Sequence, residues 1–273
     1  MIGLEFIEEI LKLTLYSAYI ADEEQPISLL LCANAEAGKS EQVKKSVQLD
    51  HVLIYSDVTA YGILQNYGDA IMKRNIRHIL IPDLITPMSK RWETASSFIS
   101  FLNMLIAEGI IEIRTYAFSK KFQQPVKCGM IACITPSELH DKRHKWLGMG
   151  FMSRVLPVSW DYTDKQQLEI LKYIAMRNYQ LEKLWSFKFP IDDIKVKLPY
   201  DLAMRMIDIS LNYCKDSARD SQKLYGFRYQ KHLQRLMIAS AIADGRDIVN
   251  QDDFDKTVQL SSFLNLKFNK IGP

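Results

Sequence analysis

Gly38-Lys39-Ser40 is the triplet in this chain whose residue types point to the most specific chemistry. It closes the loop Ala33-Asn34-Ala35-Glu36-Ala37-Gly38-Lys39-Ser40, which leaves the short apolar run Ile27 to Cys32 and enters a helical segment at Glu41. In such a strand–loop–helix setting, backbone amides cradle phosphate groups, the lysine reaches the β and γ oxygens, and the serine hydroxyl joins the shell of a Mg²⁺ ion. Residues 33–41 are therefore the expected contacts to ATP, with Lys39 catalytic and Ser40 a metal ligand. The pattern GxxxxGK[ST] is broken at its first glycine, where Ala33 stands, and alanine is tolerated there when φ is negative. The competing reading is a solvated loop carrying a surface lysine.

Hydrolysis also calls for a carboxylate at the end of a neighbouring strand, to hold the metal and position the attacking water. Asp83, closing Ile79-Leu80-Ile81-Pro82-Asp83, is the candidate, a single carboxylate that can serve the metal or the water but not both equally well. The usual adjacent acidic pair is missing, since Pro82 precedes Asp83 and Leu84 follows it. The bland alternative is an Asp that starts a turn.

The elements that must position these residues follow from periodicity. Residues 4–20 place Leu4, Ile7, Leu11, Leu15 and Ala18 on one helical face, ending before a turn at 22–26. Strands are expected at 27–32, 51–56, 77–83, 130–135 and 155–158, with helices at 59–74 and 90–108, an alternation that argues for a parallel sheet covered by helices on both faces. Gly109 to Tyr116 alternates with period two and should pair with Val126 to Met130 as an inserted hairpin, with Lys120, Lys121, Gln123, Gln124 and Pro125 as its polar tip. From about Thr163 every segment reads helical: 168–184, 198–214, 226–243 and 252–266. The expected organisation is an α/β nucleotide-binding domain over 1–194, with a hairpin insert around 109–130, and a small all-helical lid over 195–273.

Four stretches, taken in order, resemble the AAA+ ATPase domain of the minichromosome maintenance helicases. They are Ala33 to Ser40; Ala107 to Ile113 running through Cys128 to Pro136; Gly150-Phe151-Met152-Ser153-Arg154-Val155; and Phe227 to Leu236 with Ala239, Ala243, Val249 and Asp252-Asp253-Phe254. The resemblance implies a P-loop fold in which Thr135 occupies the strand-end position that senses the attacking water. It further implies that Arg154 is an arginine finger and that Arg228 is a lid arginine, both reaching the ATP of a neighbouring subunit, so that the chain works as a ring-forming homo-oligomer of about six. Salt-bridged or solvated surface arginines are the alternatives for these two. Departures matter too. Thr135 replaces the usual Asn, Val155-Leu156 replace Phe-Asp, the stretch from Glu41 to Asp83 leaves little room for the helix-2 insert, and no oligonucleotide-binding barrel or zinc ribbon is expected before the ATPase segment.

The hairpin of those helicases touches DNA phosphates, which makes Arg114, Lys120, Lys121 and Lys127 the candidate nucleic-acid contacts; protection of a sheet edge is the other reason to place lysines there. The run His140 to Lys145 is a second basic patch, with a solvated loop as its simpler reading. Partners implied are DNA, or another replication or remodelled protein, and no membrane. Nucleotide-dependent scaffolding without hydrolysis and protein remodelling are the alternative functions.

Composition bounds the rest. The chain has 273 residues, 25% charged and 48% hydrophobic, with a net charge of +3, too small a bias to announce nucleic acid. Cys32, Cys128, Cys133 and Cys214 form no CxxC pair, so buried thiols are expected rather than zinc or disulfides. Glu5, Glu8 and Glu9 are wrong for a signal peptide, and no long uncharged apolar run exists, so a cytoplasmic protein is expected.

Overall fold

Leu29–Cys32 (β1), His78–Ile81 (β3), Gly129–Ile134 (β6) and Leu156–Ser159 (β7) are short runs buried along their whole length, the signature of strands covered on both faces. With Val52–Ile54 (β2) they form a five-stranded sheet in the order β2-β3-β6-β1-β7, every pair parallel. The structure, a computed structural model, describes residues 3–21, 25–55, 59–89, 92–114, 119–178, 183–217 and 225–268. It is an α/β fold with a parallel sheet flanked by helices.

Alternation along each strand divides two apolar clusters between the faces. Leu29 and Leu31 join one cluster and Leu30 and Cys32 the other. The first face is covered by Glu5–Tyr16 (α1) and by the C-terminal helices Tyr200–Ser217 (α8), Phe227–Ala243 (α9) and Gln251–Ser261 (α10). Because α1 packs on α9, the apolar cluster runs without interruption across the boundary expected at 194 and 195. The second face carries Ala60–Met72 (α3), Trp92–Asn103 (α5) and Pro136–Gly148 (α6). Each fully buried Leu or Ile contributes roughly 1.5–3 kcal/mol by leaving water.

Several element boundaries differ from expectation. Lys39–Lys44 (α2) and Ile85–Met88 (α4) are single short turns, and α5 runs on into a wider π-type turn over Met104–Glu108. Lys90 and Arg91, expected to start α5, lie outside the described residues, as do Asp22 to Glu24 of the first turn and Ser56 of the second strand. Asp164–Ala175 (α7) ends well before residue 184, and α10 ends before residue 266. His140 to Lys145 is no loop: it forms the body of α6, because Thr135 and Glu138 make a capping box and Pro136 fits the first turn.

The hairpin is present, but its second strand is misplaced in the sequence reading. Ile110–Arg114 (β4) pairs antiparallel with Ser119–Val126 (β5), so Lys120 and Lys121 lie within a strand opposite Ile113 and Glu112, not at a tip. The reason is burial. Phe122 and Val126 are the inward residues that anchor β5 to α3 and the second cluster, which forces the polar residues between them into the strand. The chain between the two strands, 115–118, lies outside the described residues.

Two buried histidines give the fold a pH signature. His78 in β3 presses against Gly129, where a Cβ would lie 2.2 Å from Nε2, and the ring nitrogen contacts the Ile27 carbonyl at 3.2 Å. Burial lowers its pKa to about 4, and burial together with Arg235 and Arg228 lowers that of His232 to about 3. Below the ordinary imidazole value of about 6.5 the unfolded chain binds protons that the folded chain refuses, so acidification favours unfolding by about 1.4 kcal/mol per pH unit for each histidine. Urea midpoints should therefore fall steadily from about pH 6.5 to 5, above the carboxylate range. A flat profile there would show that the two rings are not held neutral.

Candidate functional site

The loop between β1 and α2 is tightly made. Gly38 sits at φ +82°, and Glu36 also has positive φ, whereas Ala33 does not, so alanine meets the condition set for it. Lys39 is 8% exposed and its Nζ donates to the carbonyls of Ala33 at 2.6 Å and Asn34 at 2.7 Å. Burial lowers the Lys39 pKa, against which the neighbouring Cys133, Cys32, Glu138 and Asp83 hold the proton on. The surface-lysine alternative is thereby removed. Tyr162 donates its hydroxyl to the Ala37 carbonyl at 3.0 Å and braces the loop; its neighbour Trp160 is core.

Sheet order brings the other predicted residues to this loop. β6 lies between β1 and β3, with Ile134 in register with Cys32 and Ala132 with Ile81. Thr135 therefore leaves the sheet beside Ala33, and the turn holding Asp83 is tied to both neighbours: Leu84 N–H donates to the Cys133 carbonyl at 2.9 Å and Ser40 Oγ donates to the Pro82 carbonyl at 3.1 Å. Asp83 is exposed and its two oxygens accept from Ile85 N–H at 2.9 Å and Thr86 Oγ1 at 2.8 Å. The turn-starting role is thus real, and the carboxylate still faces solvent next to Lys39. Thr135 donates its hydroxyl to Glu138 Oε2 at 2.6 Å, and its backbone N–H donates to the same oxygen at 3.2 Å. Glu138 escaped the sequence reading, although Thr135-Pro136-Ser137-Glu138 matches the capping pattern.

Arg154 and Arg228 meet elsewhere. Arg154 donates from Nη2 to Glu108 Oε1 at 2.6 Å and from Nη1 to the Gly150 carbonyl at 2.9 Å, while Arg228 Nη1 donates to Ser153 Oγ at 2.7 Å. They share a cavity of about 220 Å³ with Lys231, Arg235 and His232, and none of Lys39, Ser40, Asp83 or Thr135 lines it. Burial and the nearby Arg154 lower the Arg228 pKa, partly offset by Glu108. A larger apolar cavity of about 560 Å³, lined by Tyr213, Tyr229 and Met152 among others, adjoins it through Arg228, Lys231 and His232. Helical spacing alone does not reveal that Lys231 and Arg235 on α9 line the same cavity as Arg154.

The basic hairpin residues divide. Arg114 pairs with Glu112 at 2.8 Å and Lys120 with Asp69 at 2.8 Å, the latter also lying over the Phe122 ring at 5.0 Å. Lys121 is exposed and Lys127 half-buried. Arg114 and Lys120, both candidate phosphate contacts, therefore already have carboxylate partners within the chain.

Cys32, Cys128 and Cys133 are buried free thiols and Cys214 is half-buried and free. Among the described residues no three His, Cys, Asp or Glu side chains converge to hold a metal, and no helix is long and apolar enough to cross a membrane. No protein-family profile matches the sequence, and a search of curated proteins finds no significant match.

Proposed function

We propose that this chain is an ATP-hydrolysing AAA+ protein of the minichromosome-maintenance type, working as a ring-forming homo-oligomer on DNA or a DNA-bound complex. One observation carries the reading: the candidate residues fall into two groups, Lys39, Ser40, Asp83 and Thr135 around the loop after β1, and Arg154 with Arg228 at a different cavity. A subunit so built holds ATP with the first group and offers the second to the ATP of its neighbour. The position of β6 between β1 and β3 supports the same reading, since it sets Thr135 between the phosphate loop and Asp83.

Ser40 Oγ and the Asp83 carboxylate are hard oxygen donors that fit Mg²⁺ completed by phosphate oxygens and water. That ion, when bound with ATP, draws negative charge from the β and γ oxygens. Lys39 exchanges its two carbonyl partners for phosphate oxygens, and Gly38, at positive φ, turns the loop into α2. Arg154 and Arg228 stabilise the charge that develops on the transferred phosphoryl group.

A second reading, a nucleotide-dependent scaffold without turnover, draws on the hydrogen bonds that already occupy Asp83 and Thr135. Phosphate release and particle mass, measured together with Mg-ATP and with or without DNA, separate the two. Turnover by an assembled particle supports the motor, and ATP-dependent assembly without phosphate release supports the scaffold. DNA binding undetectable at low salt would remove DNA as the partner and leave protein remodelling.

A further inference from the structure

The proposed ATPase needs a group that takes the proton of the attacking water, and the residues flanking Asp83, Pro82 and Leu84, cannot do so. Asp83 itself is occupied on both oxygens at the start of α4. A second carboxylate stands one strand away. Glu138, half-buried on the first turn of α6, is locked by two hydrogen bonds to one oxygen: Oε2 accepts from the Thr135 hydroxyl at 2.6 Å and from the Thr135 N–H at 3.2 Å. Among the described residues Oε1 has no hydrogen-bond partner. Thr135 leaves β6 beside the start of the phosphate loop, because Ile134 is in register with Cys32.

From this juxtaposition, and resting on the ATPase reading above, we propose that Glu138 is the general base of hydrolysis, aimed at the water by Thr135. Its charge also acts on Lys39 and on Cys32, so the carboxylate lies within electrostatic range of the loop after β1. In the step, the water oxygen bonds to the γ phosphorus while the bond from that phosphorus to the β,γ-bridging oxygen breaks. The electron pair leaves with ADP, one water proton passes to Oε1 of Glu138, and that proton later departs with the released phosphate. Thr135 is then a positioning residue: its hydroxyl, too short to replace an Asn at the water, instead fixes the carboxylate that touches it.

The test is Glu138→Gln in the full chain, with Mg-ATP. The amide oxygen still accepts from Thr135, so thermal midpoint and ATP affinity should stay close to wild type while turnover drops roughly 10²–10⁴-fold. Glu138→Ala should lose turnover similarly and regain part of it in added formate, a rescue that repair of a helix cap would not produce. Wild-type turnover in Glu138→Gln, or a Glu138→Ala loss indifferent to formate, overturns the assignment while leaving the ATPase reading intact. Absence of phosphate release from the wild-type chain, with ATP bound, overturns both.

Discussion

Lys39→Ala is expected to cut ATP affinity and turnover by roughly 10²–10⁴-fold, the equivalent of two charge-assisted hydrogen bonds of about 1.5–3 kcal/mol each. The physical reason is that the ammonium is already out of water. It is 8% exposed, and burial pulls its pKa down while Cys133, Cys32, Glu138 and Asp83 oppose the fall. Exchanging the Ala33 and Asn34 carbonyls for phosphate oxygens thus requires little further desolvation, and the phosphate oxygens carry more charge. The same substitution leaves those two carbonyls without their donor, at about 1–3 kcal/mol each if no water reaches them. Lys39→Met, which keeps most of the side-chain volume, serves as the companion variant. Calorimetric titration with ATP and a thermal melt on both variants tell lost binding from lost folding. Nucleotide affinity unchanged in a folded Lys39→Met protein would remove the loop after β1 as the ATP site.

Arg154→Ala should behave in the opposite way: turnover falls about 10³–10⁵-fold while the subunit's own stability hardly moves. Within the subunit the guanidinium bonds Glu108 and the Gly150 carbonyl, and Glu108 is 59% exposed, so the pair is worth at most about 1 kcal/mol in water. Nor is Arg228 stranded by the change, since its own bond runs to Ser153 and the loss of Arg154 relieves a repulsion. If the pair acts across a subunit boundary, mixing Arg154→Ala with Lys39→Ala restores activity at the interfaces where an intact loop faces an intact arginine. Each variant assayed alone stays inactive. Wild-type turnover in Arg154→Ala would show that the cavity it shares with Arg228 serves something other than ATP.

How far the sequence foretold these arrangements depended on how local the cause was. The turn at 33–40 was legible because its conformation needs Gly38 at positive φ and its lysine within hydrogen-bond reach of its own loop carbonyls, both short-range requirements. The strands were legible for a similar reason: a four-residue apolar run such as Leu29–Cys32 has both faces to bury and few alternatives. The hairpin was half-legible. Its first strand alternates cleanly, but Lys120 and Lys121 look like tip residues until Phe122 is known to be packed under α3. The surroundings of Asp83 and Glu138 were the least legible, since the pattern that lets a carboxylate accept hydrogen bonds at a helix start, as both do, does not tell what else lies beside it.

Hydrophobic periodicity and turn chemistry, acting over a few residues, were enough to specify a parallel α/β sheet, the loop at 33–40 and the run of helices after Thr163. They could not specify which chain segments meet. Arg154 and Arg228 are brought to one cavity by the packing of α9, α1 shares its core with the C-terminal helices, and Thr135 leaves the sheet beside Ala33 because β6 inserts between β1 and β3. These are long-range contacts, selected by the shape and burial of whole faces rather than by neighbours along the chain, and so they are decided when the sheet is assembled and the helices close over it.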